Sequence, residues 1–461
     1  MRRLFFLLVA FTATAFAQYT QVSEINEYGG PQEFAARRAE LAKKVGGKGT
    51  VLLFARVTLP ESNHYREDND FFYYTGLREP GAAMMMDAAS GRTTIFQPAH
   101  SEREIQVLGK TILAMSPQER EAVGFPNVLP ITELDNILSR LFYGGVDQEL
   151  WIRLGFPDKA DGARLETGLD NSRHYNDPYG SEQPSNLAPA NKLQERYPAA
   201  RVHDLTPLID EMRNIKRPSE IEMIRRCGKL GAAGHKAAIS KAKAGMMQYE
   251  VEAEAAYVFR KGGAEGWAYT AIVGTGADAN TWHYFSNRHK INAGDVVVFD
   301  FAPDLHQMTM DITRTFPIDG KFTPEQAKWY QADLESQKAT IEMLKPGNTY
   351  EQAAEAGAAV YKKYGVPQIN GKEQYPNTNG KPGISGHWVG MATHDVSGPL
   401  TGPIKVGQVL TVEPIIEIPE KHWHFRVEDT ILITEHGPEV LSSDVPKEMG
   451  EIEKLVGSAL K

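Results

Sequence analysis

Apolar and polar positions alternate in two regimes along the chain. Between Gln32 and Lys44 the run QEFAARRAELAKK places Phe34, Leu41 and Ala42 at helical intervals, which predicts a helix. The short apolar run Val51-Leu52-Leu53-Phe54 follows a glycine-rich GGKG and reads as a buried strand. Phe71 to Thr75 (FFYYT), Ala82 to Asp87 and Arg92 to Gln97 read as further strands, the first two separated by the turn Glu79-Pro80-Gly81. Strands and helices that alternate to about residue 160 imply an α/β layer. From about 157 to 200 the pattern lapses into a polar stretch rich in Asn, Pro and Ser, which reads as a surface loop or linker. Beyond Leu205 the periodicity returns. Ser219 to Lys243 reads as a long helix capped by Ser219, with Glu222 three residues on and Pro218 just ahead, and Tyr249 to Lys261 as a second. Strands are expected at Thr270–Val273, Val296–Phe301, Val409–Val412 and Thr430–Thr434.

The amino terminus stands apart. Arg2-Arg3 precede an apolar run from Leu4 to Phe16, and Ala15-Phe16-Ala17 has the form of a cleavage site. The run is too short to span a bilayer comfortably, so a cleaved export signal is the preferred reading over a retained anchor. The expected organisation is a leader over 1–17, an α/β domain over 18–165, a linker or surface loop over 166–205 and a second domain over 206–461. The mature protein is expected to be periplasmic or secreted, without stable membrane insertion.

Composition then removes several chemistries. With 50 basic and 59 acidic residues the net charge is −9, which argues against a nucleic-acid partner. The single cysteine, Cys227, excludes an internal disulfide framework and any thiolate-rich metal site. A metal in this chain must be held by carboxylates and imidazoles. Five strings supply them: VVVFD ending at Asp300, MDITRTF with Asp311, GHWVGMATHD with His387 and His394, LTVEP with Glu413, and FRVED with Arg426 and Glu428. The acids sit within or at the ends of apolar strands, and a buried carboxylate needs a cation or a proton. The eleven-residue spacing of Asp300 and Asp311 allows facing positions on a hairpin. Four such acids and a histidine could hold two divalent ions that activate a water. Each residue also has a structural reading: a strand-end turn for Asp300, pairing with Arg314 for Asp311, a core histidine for His387, pairing with Arg426 for Glu428. The string GTGADA from Gly274 fits a dinucleotide-loop pattern, but Asn280-Thr281-Trp282-His283 is a poor helix opening.

These strings, in this order, resemble the pita-bread metallopeptidases in their aminopeptidase P and prolidase branch. DITRTF is the most specific, and HWVGMATHD, TVEP and RVEDTILIT are similar to the family's later segments. YREDNDFFYYTG with Arg37-Arg38 resembles its amino-terminal domain, and NIKRPSEIEMIRRC the start of its catalytic domain. The resemblance implies an α/β (α+β) architecture, with a creatinase-like amino-terminal domain followed by a pita-bread catalytic domain. It implies metal ligands Asp300, Asp311, His387, Glu413 and Glu428, with Asp311 and Glu428 bridging two divalent ions, Mn²⁺ being expected and Zn²⁺ or Co²⁺ compatible. It makes His283 a substrate-binding histidine, His394 a second histidine near the scissile bond, Arg426 a catalytic-site arginine close to the last glutamate, and Glu413 a proton relay. The implied activity is removal of an N-terminal residue from peptides with proline second, by a hydroxide activated between the metals. A homo-oligomer, dimer or tetramer, is implied as well. One position departs: Gly383 stands where the family usually has a histidine four residues before the metal histidine. An X–Pro dipeptidase is the neighbouring alternative, but between His394 and Glu413 only Lys405 could meet a dipeptide's carboxylate. A non-catalytic peptide-binding protein on this fold is the other alternative, and the complete ligand set argues against it.

Overall fold

Six strands pair into one sheet in the order Val128–Pro130, Thr93–Gln97, Ala83–Asp87, Thr50–Phe54, Glu149–Ile152, Arg201–Asp204. The central strand 50–54 is antiparallel to 83–87 and parallel to 149–152, so the sheet is mixed. Strand alternation sorts its side chains. Val51, Leu53, Met84 and Met86 join Phe34 and Leu41 in the main core, while Leu52, Ala83, Phe96 and Leu150 pack with Leu138, Phe142 and Tyr197 on the other face. The computed structural model describes residues 20–57, 65–145, 148–175, 188–378, 381–396 and 398–460. The proposed leader over 1–17 lies outside them. Among the described residues no helix is long and apolar enough to cross a membrane.

Three expectations are corrected here. FFYYT is not a strand but the body of a helix, Asn69–Thr75. Asp68 accepts from the amides of Asp70 and Phe71 to cap its start, and Gly76 closes it at φ 67. These caps outweigh the β-preference of the aromatic residues. The stretch 166–205 is not simply a linker. Helix Arg164–Tyr175 runs into it, Ala188–Arg196 is helical, and Arg201–Asp204 is the edge strand of the sheet, parallel to 149–152. Finally, Ser219 does not cap the long helix Pro218–Lys241. Arg217 holds the cap position and its backbone N–H donates to Glu220 Oε2 at 3.0 Å.

The carboxyl-terminal half repeats one order of elements. A helix pair, Pro218–Lys241 with Gln248–Lys261, is followed by the antiparallel strands Ile272–Thr275, Val296–Asp300 and Thr313–Pro317. A second pair, Pro324–Met343 with Tyr350–Tyr364, is followed by Val409–Val412, Asp429–Thr434 and Gly437–Val440, and by the hairpin Ile415–Ile418 with Trp423–Arg426. That hairpin turns tightly through Pro419–Lys421 and His422, whose φ is 56°. The two sheets are stitched together beside it. Glu428 N donates to Thr313 O at 3.1 Å, and Thr315 Oγ1 and Arg426 exchange side-chain and backbone bonds. Gln337 from helix 324–343 reaches Val427 O at 2.9 Å and Asp429 Oδ2 at 3.1 Å. Cys227 is buried in helix 218–241 and its thiol meets Pro303 O at 3.3 Å, a packing position. A short 3₁₀ turn, Gly276–Asn280, follows the GTG string in place of the helix a dinucleotide site would need.

The amino-terminal domain is joined to the catalytic half through buried charge. Arg213, 1% exposed, donates to Asp70 at 2.9 Å, to Asp158 at 2.7 Å and to Asp395 at 2.7 Å. Lys216 completes the Asp395 pair at 2.7 Å. Asp70 also receives Arg153 and Arg164. Burial opposes its charge, but these three guanidinium groups hold its carboxyl far below the usual range.

Candidate metal centre

Each proposed ligand is delivered by a backbone that has little freedom. Asp300 ends the central strand 296–300 and is paired across to both Ile272 and Thr313. Asp311 precedes strand 313–317. Its N–H donates to Thr430 Oγ1 at 3.0 Å, and that hydroxyl returns a 2.7 Å bond to Asp311 O. The segment from Ser385 lies along strand 409–412: Thr411 N donates to His387 O at 2.8 Å, His387 N to Thr411 Oγ1 at 3.0 Å, and Glu413 N to Ser385 O at 2.9 Å. This places His387 and Glu413 side by side. Glu428 follows the 415–426 hairpin, and Thr313 donates to its Oε2 at 2.6 Å.

The side chains converge. One donor atom from each of Asp300, Asp311 and Glu428 lies within 4.8 Å of the others, and the same holds for His387, Glu413 and Glu428 and for Asp311, His387 and His394. Glu428 belongs to the first two trios, and Asp311 to the first and third. Glu428 Oε1 is buried with no hydrogen-bond partner. An orphaned carboxylate oxygen inside a cluster of four acids is what a cation would complete. The oxygen-and-imidazole donor set suits a hard or borderline divalent ion.

Burial and the neighbouring charges set the protonation of these groups. Burial, aided by Asp311, pushes Asp300 up to about 7 in spite of Arg426. Burial and the neighbouring acids Asp311, Glu413 and Asp300 push Glu428 well above the carboxylate range. Burial works against a charged His387, but Asp311 at 3.3 Å and Glu413 at 3.5 Å raise it to about 9. Burial likewise works against an ionised Asp311, and His387 more than offsets it, so Asp311 is lowered. Arg426 Nη2 donates to Asp300 Oδ2 at 2.5 Å, not to Glu428. Arg314 is committed elsewhere, to Asp429 at 2.7 Å, so neither structural pairing drawn from the sequence for Asp311 or Glu428 forms.

Asp300, Asp311, His387 and Glu413 line a cleft of about 660 Å³, while Glu428 is buried. His283 and His394 line it with Arg426. His283 stacks on Phe285 at 5.7 Å, and its pKa is lowered by burial and by Arg426. His394 packs against His387 with ring centroids 4.0 Å apart. Gly383 does not line the cleft, and Lys405 faces a different pocket beside Ile215 and Arg217.

Two residues here escape a reading of the sequence. The Tyr269 hydroxyl lies 2.5 Å from Asp300 Oδ1 and 2.6 Å from Asp311 Oδ1 and so bridges the two acids. Glu166 bonds to His394 from the stretch expected as linker. Tyr269 carries only the weak signal of a tyrosine just ahead of an apolar strand, and Glu166 carries none.

The chain is similar to known proteins along most of its length. The pattern of metallopeptidase family M24 matches residues 222–435, and that of the aminopeptidase P N-terminal domain matches 34–151. The Xaa-Pro aminopeptidase of Escherichia coli K12 is 30% identical over 93% of this chain and 98% of its own. Human Xaa-Pro aminopeptidase 3 is 28% identical over 93% of this chain and 86% of its own. Among solved structures, Pseudomonas aeruginosa aminopeptidase PepP superposes with a TM-score of 0.75 at 28% identity, covering 93% of this chain and 98% of that one. Aminopeptidase P from E. coli with the inhibitor Pro-Leu also scores 0.75, at 26% identity over 93% and 99%. The convergence of buried acids and imidazole on a two-domain scaffold thus has a family: the chain belongs to the M24 metallopeptidases, in the aminopeptidase P branch, and is a hydrolase of the aminopeptidase class.

Proposed function

We propose that this protein is a metal-dependent Xaa-Pro aminopeptidase. It would release the N-terminal residue from peptides with proline at the second position. The observation that carries the reading is the pair of donor trios, Asp300–Asp311–Glu428 and His387–Glu413–Glu428, that share the buried Glu428 and whose other members line the cleft. In this reading Asp300, Asp311, His387, Glu413 and Glu428 would hold two divalent ions, Mn²⁺ in first place. The ions would supply Lewis-acid charge and a water of lowered pKa.

The chain's own residues do the rest. Glu413, partly open to the cleft, takes a proton and hands it to the leaving proline nitrogen. His283 and His394 orient the scissile amide by hydrogen bonding from the cleft wall. Arg426 aims Asp300 through the bond from Nη2 to Oδ2, and Tyr269 restrains Asp300 and Asp311 together. Lys405 lies outside the cleft, where it cannot meet the carboxylate of an X–Pro dipeptide, which favours longer peptides. The amino-terminal leader supports action outside the cytoplasm.

The test is a matched assay with Mn²⁺ on an X-Pro-Pro tripeptide and on an X-Pro dipeptide. Release of the first residue from the tripeptide is expected. Cleavage of dipeptides alone would make the protein a dipeptidase, and activity that survives exhaustive chelation would defeat the metal reading.

A further inference from the structure

One part of the cleft lining comes from a stretch of the chain that neither family pattern covers, since the matched regions end at 151 and resume at 222. It consists of helix 164–175 and the loop before it, which contribute Lys159, Asp161, Glu166, Asp170 and Arg173 to the lining. We infer that Glu166 is a positioning residue for His394: its carboxylate accepts a hydrogen bond from Nδ1–H and so fixes Nε2 as the ring nitrogen turned to the substrate. The inference rests on the proposed peptidase reading for its meaning in turnover, but the hydrogen bond itself does not.

Four observations carry it. Glu166 Oε1 lies 2.5 Å from His394 Nδ1. Its other oxygen, Oε2, accepts from Ala163 N at 2.9 Å, so the carboxylate is gripped at both ends. The helix that carries it is anchored two residues earlier: Arg164 donates to Asp70 and to Asp210 at 2.8 Å and to Phe156 O at 3.0 Å. The backbone beside His394 is tied to the same loop, Thr393 N donating to Ala160 O at 2.7 Å. An ionised carboxylate can only accept, so Nδ1 must be the donor and the ring cannot flip without losing the bond. Histidines at reactive centres are commonly oriented in this way by an acid behind them, and loss of such a partner typically costs about 10- to 100-fold. Glu166 is 43% exposed on its side chain, which places the expected loss near the lower figure.

Two readouts test this. In protein labelled with ¹⁵N-histidine and loaded with diamagnetic Zn²⁺, a downfield Nδ1–H resonance that disappears in His394→Ala belongs to His394. It should be absent from Glu166→Ala and retained in Glu166→Gln, whose amide oxygen still accepts. Its survival in Glu166→Ala would overturn the inference. In turnover of an X-Pro-Pro peptide, Glu166→Ala should lower kcat about 10-fold with KM within about 2-fold, Glu166→Gln should recover most of the loss, and Glu166→Ala/His394→Ala should be no slower than His394→Ala alone. Losses that multiply in the double variant, or a Gln variant as slow as the Ala variant, would also overturn it. If the unaltered protein cleaves no X-Pro peptide, the peptidase reading fails and the resonance alone judges Glu166.

Discussion

A methyl group added at Gly386 should displace the imidazole next to it. A Cβ built there would lie 2.2 Å from Thr411 O and 3.0 Å from Thr411 C. That is roughly 0.8 Å short of a tolerable contact, and the obstacle is backbone. Thr411 cannot retreat. It is paired with Thr430 across strand 429–434 and bonded twice to His387, and Thr430 in turn holds Asp311. The strain must therefore move the 385–387 segment or drag the strand that carries Glu413. Metal–ligand distances tolerate about 0.2 Å, so a shift several times larger at His387 should weaken metal binding about 10- to 100-fold. The metal-free protein should lose about 1–3 kcal/mol, which lowers Tm by about 2–4 °C per kcal/mol for a domain of this size. Chelator competition gives the affinity, and scanning calorimetry with and without metal gives the stability. A Gly386→Ala protein with unaltered metal affinity and Tm would refute the claim that this close approach sets the position of His387.

Other outcomes follow from the same geometry. Glu428→Ala removes the donor common to two trios and should take bound metal from about two ions per chain to fewer than one, with no activity at any metal concentration; Glu413→Ala, in one trio, should retain about one ion by elemental analysis. At pH 6 metal should displace about two to three protons, those on Asp300, His387 and Glu428, seen as a buffer-dependent enthalpy in titration calorimetry; a buffer-independent enthalpy would contradict the protonated site. Asp300 rises from 3.8 to about 7 and His387 from 6.5 to about 9 on folding, so each stabilises the metal-free protein at low pH. Asp300's contribution is lost as pH rises from about 4 to 7, and that of His387 between about 6.5 and 9. The Tm gap between metal-loaded and metal-free protein should accordingly widen from pH 5 to 8, and a constant gap would count against the assignment. Asp395→Ala should cost about 3–5 kcal/mol by chemical denaturation, because it leaves Arg213 and Lys216 buried beside a missing partner.

What could be read in the sequence, and what could not, divides by range. The strands that carry Asp300, Glu413 and the residues after Glu428 are short apolar runs, and an acid inside such a run is conspicuous by itself. Hence the five strings are visible one by one, though only the fold brings the three trios together. Local aromatic preference misreads FFYYT, because the decisive groups are Asp68 before it and Gly76 after it, and Arg37 and Arg38, which take the carbonyls of Tyr73 and Tyr74. The edge strand 201–204, Arg-Val-His-Asp, lacks an apolar signature because it is short and at the sheet margin. Glu166 and His394 are 228 positions apart, and nothing short of the packed domains predicts that they meet.

The buried cluster around Arg213 has a practical consequence for anyone dissecting this protein. Asp395 immediately follows His394, and its counter-ion Arg213 also satisfies Asp70 and Asp158, which both come from the amino-terminal domain. Cutting the chain near residue 206 would strand several charges in an apolar interior at once, beside the loop that shapes the cleft. A minimal catalytic fragment beginning at that boundary is thus a poor design. The amino-terminal domain is foundation as well as neighbour, and the smallest useful unit includes both.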